Sequence, residues 1–237
     1  GAILAIVLSA LVSILLGLIQ LRKFLNKGSI ETFETKEIYK YSYPVIFALT
    51  FLILISSVDL FLVKHFFSSG NAGLYAAAAL IGKIIFFATF SISQVMFPKA
   101  VDNHTQKKSN AKIIKKSLLL ITVLAVPAIL IYFLAPNMII NILFGQEYLE
   151  INNLIGFFGI AMTLFSLSYI LVVYNLSVNK NKFIIPLLIV GIIEIILISL
   201  MHSTLLQVTL IVMLIMFLVF TYLFLYTIGS LKWLNYQ

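Results

Sequence analysis

The sequence predicts an all-α protein, a polytopic transmembrane helical bundle of about seven spans, and three observations carry that prediction. Of its 237 residues, 62% are hydrophobic and only 10% charged, with a mean hydropathy of +1.13. Such a chain needs a lipid solvent. Apolar segments of span length recur along it without the period-two alternation of a barrel strand. The connections between them alternate in charge, lysine-rich on one side and nearly lysine-free on the other.

The first apolar segment, Ala2 to Leu21, has no basic residue before it and Arg22 and Lys23 directly after it. A signal peptide has the opposite polarity, so this segment reads as a span that enters from outside and ends in the cytoplasm. A chain starting outside, without Met or signal, is expected to be the C-terminal part of something longer. The second span, Tyr43 to Val63, carries Pro44 near its start, where a missing N–H is harmless. Ser68 to Asn71, a cluster of turn-favouring residues, separates it from the third span, Leu74 to Phe97, which Pro98 is expected to close. That third helix is about 36 Å long, enough to cross a hydrocarbon core of about 30 Å.

The fourth span, Ile113 to Ala135, contains Pro127, which removes a backbone bond and predicts a kink. The fifth, Leu154 to Val178, ends at the turn-favouring run Asn179 to Lys182, followed by the sixth, Phe183 to Met201. The seventh, Leu205 to Ile228, has little polarity beyond Thr209, Thr221 and its tyrosines, and is expected to be peripheral. The longest connections, around Asn26 to Lys40 and Lys99 to Lys112, are basic and too short for folded domains.

Fourteen of the sixteen basic residues follow odd-numbered spans. The positive-inside rule makes that side cytoplasmic and puts the C-terminus there, in a multi-pass protein of the cytoplasmic membrane. Trp233 and Tyr236 are candidate interfacial anchors. The net charge of +8 is thereby topological, and no aromatic–basic pattern points to nucleic acid. Cysteine is absent, which excludes thiolate chemistry and Cys metal sites. His65, His104 and His202 are far apart and lack zinc-site spacing, and no phosphate loop or nucleophile elbow is found. The expectation is a protein that is not an enzyme and carries no cofactor and no metal.

The polar residues inside the spans carry the functional content. Lys83 lies about a third of the way into the third span, where lipid exposure costs about 2.5 to 3.5 kcal/mol. On a helical wheel Ala76, Ala79, Phe87, Phe90 and Gln94 share its face. This stripe either packs through small residues around a structural ion pair or lines a polar cavity. Asp59 near the outer end of the second span and Glu194 near the middle of the sixth are its candidate partners; Asp59 reads alternatively as a solvated boundary residue, whereas Glu194 should point into the bundle to carry a proton, a small cation or an ion pair. Ser168 and Asn175 share a face of the fifth span, suited to interhelical hydrogen bonding or to cavity lining.

Several segments in order, AGLYAAAALIGKIIFFATFSISQVMFPK (Ala72 to Lys99), VDLFLVKHFFSSGNAG before it and PNMIINILFGQEYLEINNL (Pro136 to Leu154), resemble the polysaccharide and oligosaccharide flippases of the multidrug/oligosaccharidyl-lipid/polysaccharide (MOP) exporter superfamily. The likeness is to the C-terminal half. It implies that residues 1–40 are the last helix of an N-terminal lobe plus a basic cytoplasmic linker, and 41–237 a six-helix lobe facing a lobe missing from this sequence. The resemblance implies alternating access, with a lipid-linked saccharide on a polyprenyl phosphate carrier as substrate and Na⁺ or H⁺ as a possible coupling ion. On that reading Lys83, Gln94, Phe90 and Asn175 are the cavity candidates, and Asp59 and Glu194 the ion-coupling candidates. The alternatives are a multidrug, MATE-like cation-coupled exporter and a non-transporting membrane scaffold or enzyme subunit.

Overall fold

The computed structural model describes residues 1–25, 35–106 and 108–234. Lys27, Lys107 and Tyr236 lie outside the described residues, as do the side chains of Lys23, Lys232 and Trp233. The chain divides into two compact units, Gly1–Lys40 and Tyr41–Gln237. In the first, α1 (Ala2–Leu25) is one unbroken apolar helix. All described regular structure is helical. Five helical stretches are long and apolar enough to cross a membrane, and Val7–Arg22 and Ile184–Leu200 are shorter apolar helices, so the chain is an all-α, polytopic helical membrane bundle.

The second span is not a single helix. α2 (Thr35–Ile55) stops and α3 (Val58–Phe66) restarts after Ser56 and Ser57. Serine side chains compete with the helix ladder for backbone groups. Here the Ser56 hydroxyl donates to the Ile53 carbonyl at 2.8 Å, while the Ser57 N–H tightens onto the Leu54 carbonyl at 3.0 Å. The break places a new helix start inside an apolar run.

α4 (Ser69–Thr105) overruns both expected ends of the third span. The Ser68 hydroxyl accepts from the Asn71 N–H at 3.3 Å, so the serine–glycine–asparagine cluster is an N-cap and first turn. Lys64 Nζ donates to the Ser69 hydroxyl at 2.9 Å across the junction. Pro98 does not close the helix. The carbonyl it leaves without a helix partner belongs to Gln94, an exposed residue near the lysine-rich end. With 37 residues, α4 is about 55 Å long and extends well beyond a bilayer core.

α5 (Ala111–Leu134) runs through Pro127 without ending. After α5 comes α6 (Pro136–Leu143), followed by a 3₁₀ turn, Gln146–Ile151. Gly145 joins them at φ 91°, a left-handed conformation that glycine adopts without a side-chain clash. α7 (Asn152–Ser177) is buried on nearly every side and packs against α4, α9 and α5. The approach of α4 to α7 depends on Gly82, where an added Cβ would stand 2.9 Å from the Phe158 Cβ. The Tyr132 hydroxyl ties α5 to α4 by donating to the Ile81 carbonyl at 2.8 Å.

α8 (Ile184–Leu200) leaves an apolar face uncovered, with Ile185, Ile189, Ile192 and Ile196 exposed. α9 (Leu205–Leu234) is not peripheral, contrary to expectation: Val208, Val212, Ile215, Met216 and Val219 are buried, chiefly against α7. The physical reason is that lipid and protein interior are equally apolar, so low polarity does not distinguish a helix facing lipid from one facing protein.

Candidate functional site

The break between α2 and α3 organises a polar cluster in the middle of the bundle. Asp59 stands in the first turn of α3, where the partial positive charge of a helix N-terminus favours an anion. It is 2% exposed. Its Oδ2 accepts from the Tyr75 hydroxyl of α4 at 2.8 Å, the backbone N–H groups of Asp59 and Leu60 lie near the carboxylate, and its Oδ1 has no hydrogen-bond partner within 3.5 Å among the described residues. Glu194 of α8 is fully buried, and neither of its carboxylate oxygens has a hydrogen-bond partner among the described residues. The two carboxylates interact electrostatically, and both interact with Tyr75. Thr209 of α9 lies beside the Tyr75 hydroxyl, while its own hydroxyl donates to the Leu205 carbonyl at 2.9 Å.

Lys83 is one edge of this cluster. Half-buried, it donates from Nζ to the hydroxyl of Ser57, the residue preceding α3, at 3.4 Å, and it interacts electrostatically with Asp59. Among the described residues no ion pair within 4.0 Å joins Lys83 to a carboxylate. The cation stands beside Asp59 without forming an ion pair with it. Four helices, α3, α4, α8 and α9, thus converge on two carboxylates that retain three unpartnered oxygens.

An unpaired carboxylate in such surroundings is costly, and the cost is relieved by a proton or by a cation bound to its oxygens. Asp59 Oδ1 and the two Glu194 oxygens provide hard acceptors suited to either. No group of three or more His, Cys, Asp or Glu side chains is arranged for a metal among the described residues.

The other candidates lie elsewhere. Phe90 packs in an aromatic cluster between α4 and α7, its ring centroid 5.6 Å from Phe86 and 5.5 Å from Tyr169. Phe87 is 67% exposed. Gln94, eleven residues and about 16 Å along α4 from Lys83, lines a recess of about 170 Å³ with Ser93, Tyr169 and Leu49. Asn175 is fully buried in α7, donating to the Leu171 carbonyl at 2.8 Å and to the Thr227 hydroxyl of α9 at 2.7 Å. The structure therefore brings Asp59, Lys83 and Glu194 together, and separates Gln94 and Asn175 from them.

Tyr75, Ser57 and Thr209 were not among the residues singled out for a site from sequence. The signal for Ser57 was the Ser56–Ser57 pair within an apolar run. Tyr75 and Thr209 sit in segments whose composition gives no such sign.

The helices and this interior acidic pair define a multi-pass membrane protein with an uncompensated polar centre. A family model described as "Polysaccharide biosynthesis protein" matches residues 2–153. The chain belongs to that polysaccharide biosynthesis family. The match takes in α1 to α6, including Asp59, Tyr75 and Lys83, and stops before Glu194 and Thr209. No curated protein and no solved structure matches the chain.

Proposed function

We propose that this chain is the ion-coupled lobe of a flippase that moves a lipid-linked saccharide precursor across the cytoplasmic membrane by alternating access. It acts as a transporter and not as an enzyme. Family membership supports a role in polysaccharide synthesis or export. The observation that carries the coupling is the trio of unpartnered oxygens on Asp59 and Glu194, buried where α3, α4, α8 and α9 meet.

In this mechanism a proton or Na⁺ enters the acidic pair and removes the repulsion between its carboxylates. α8 and α9 can then close against α3 and α4. Loss of the ion restores repulsion and loosens the same contact. A bound ion shifts the equilibrium between two arrangements only by its difference in affinity for them, and a carboxylate pair that is close in one and apart in the other provides that difference. Lys83, at the edge, attracts the phosphate of a polyprenyl-phosphate-linked saccharide towards the cluster, and its half-buried ammonium has a stronger field than one in water. The same cation opposes a lipophilic cationic substrate, which sets this reading above a multidrug exporter.

The test uses the complete gene product in proteoliposomes with a polyprenyl-pyrophosphate-linked saccharide under imposed Na⁺ and H⁺ gradients. Translocation is expected to follow one of the two gradients and to lose that dependence in Glu194→Gln. Equal translocation with and without either gradient, in a preparation that still flips the lipid, overturns the coupling. No translocation of any lipid-linked saccharide tested overturns the flippase reading.

A further inference from the structure

Between α4 and α5, at the lysine-rich end of the bundle and away from the acidic cluster, the two helices leave a crevice of about 370 Å³. Lys99 of α4 and Lys116 of α5 stand on its two sides, and its wall continues through Ile92, Val95 and Leu120. Both lysines are exposed, and neither makes a hydrogen bond or ion pair with another described residue. The nearest acid along α4, Asp102, accepts instead from the Gln106 amide at 2.8 Å. Val95 and Leu120 are 56% and 42% exposed, so the apolar wall is also uncovered.

Two ammonium groups above an apolar slot match one chemical class, an amphiphile with an anionic head and a hydrocarbon tail. A free anion would leave the apolar wall unused, and a neutral lipid would leave the charges unmatched. We propose that this crevice seats an anionic phospholipid of the phosphatidylglycerol type, its phosphate between Lys99 and Lys116 and one acyl chain along Ile92, Val95 and Leu120. Basic pockets between transmembrane helices favour such headgroups through the same charge pairing. The lipid bridges α4 to α5 beside the long extension of α4 and is a standing component of the bundle, distinct from any transported molecule.

The test measures lipid retention by native mass spectrometry on the detergent-purified complete gene product, loaded with phosphatidylglycerol or phosphatidylcholine. Phosphatidylglycerol is expected to be retained over phosphatidylcholine. The Lys99→Gln/Lys116→Gln double variant is expected to lower its affinity by about thirty-fold, the equivalent of about 1 kcal/mol for each of two lysines near a membrane surface. Lys112→Gln/Lys115→Gln removes the same charge from α5 alone and outside the crevice, and is expected to leave affinity within a few-fold. Equal losses in both double variants, or a loss in neither, overturn the site. Val95→Trp and Leu120→Trp fill the slot from its exposed side without changing charge, and each is expected to displace the lipid. Full retention in monodisperse samples of both overturns the acyl seat. Displacement of the lipid by millimolar glycerol phosphate, which has the head and no tail, overturns the phospholipid in favour of a free phosphate anion.

Discussion

α7 and α8 treat polar groups in opposite ways. α7 is enclosed by protein, yet Thr163, Ser166 and Ser168 each return their hydroxyl to a backbone carbonyl of their own helix at 2.7 to 2.8 Å, and Asn175 reaches across to Thr227. Its remaining unpartnered atoms, Asn175 Oδ1 and the Tyr174 hydroxyl oxygen, are neutral. α8 is exposed along about half of its residues, and the carboxyl oxygens of its buried glutamate have no hydrogen-bond partner among the described residues. An unmatched neutral group costs about 1 to 3 kcal/mol, and a charged one more. The comparison teaches that α7 satisfies its hydroxyls within its own helix and reaches a neighbour through Asn175, whereas α8 holds a carboxyl to which no described residue donates a hydrogen bond.

The comparison breaks most readily at Glu194. Glu194→Gln keeps the shape and removes the titratable group, and is expected to lower gradient-driven translocation by about a hundred-fold, equivalent to about 2.7 kcal/mol, while thermal stability stays level because no hydrogen bond to the carboxyl is lost. A fall in stability with transport intact would make Glu194 a structural residue like those of α7. Next in size is Gly82→Val, which pushes a side chain into Phe158 at the seam of α4 and α7. Overpacking of this kind costs about 1 to 3 kcal/mol, visible as a lower unfolding midpoint in detergent.

Lys83→Gln sharpens the contrast from the side of the substrate. It is expected to reduce translocation about ten-fold, or about 1.4 kcal/mol, without altering the dependence on the ion gradient. A changed ion dependence would assign Lys83 to the acidic pair. The smallest effect belongs to α7: Asn175→Leu removes the bond to Thr227 and is expected to cost about 1 kcal/mol of stability, with wild-type translocation per folded molecule. Transport loss in well-folded Asn175→Leu would place that residue on the transport path.

The seven apolar segments were legible because membrane crossing imposes length and apolarity on each helix separately. The break at Ser56–Ser57 and the passage of α4 through Pro98 were less so. Each depends on how the surrounding structure accommodates a gap in the helix ladder, and residue type alone does not set that. The burial of Glu194 followed from its solvation cost, since a carboxylate amid isoleucine and leucine must turn from lipid.

By itself, then, the sequence determined the number of apolar segments, the alternating charge of the connections between them, and the presence of Asp59, Lys83 and Glu194 within those segments. Only the tertiary structure decided where the helices begin and break, that α9 packs against the core while α8 leaves an apolar face exposed, and that Tyr75, rather than Lys83, donates to Asp59. The physical reason is that solvation is paid residue by residue and so is written along the chain. Partnership depends on which helices meet and at what height, and in a uniformly apolar medium hydropathy does not encode that choice.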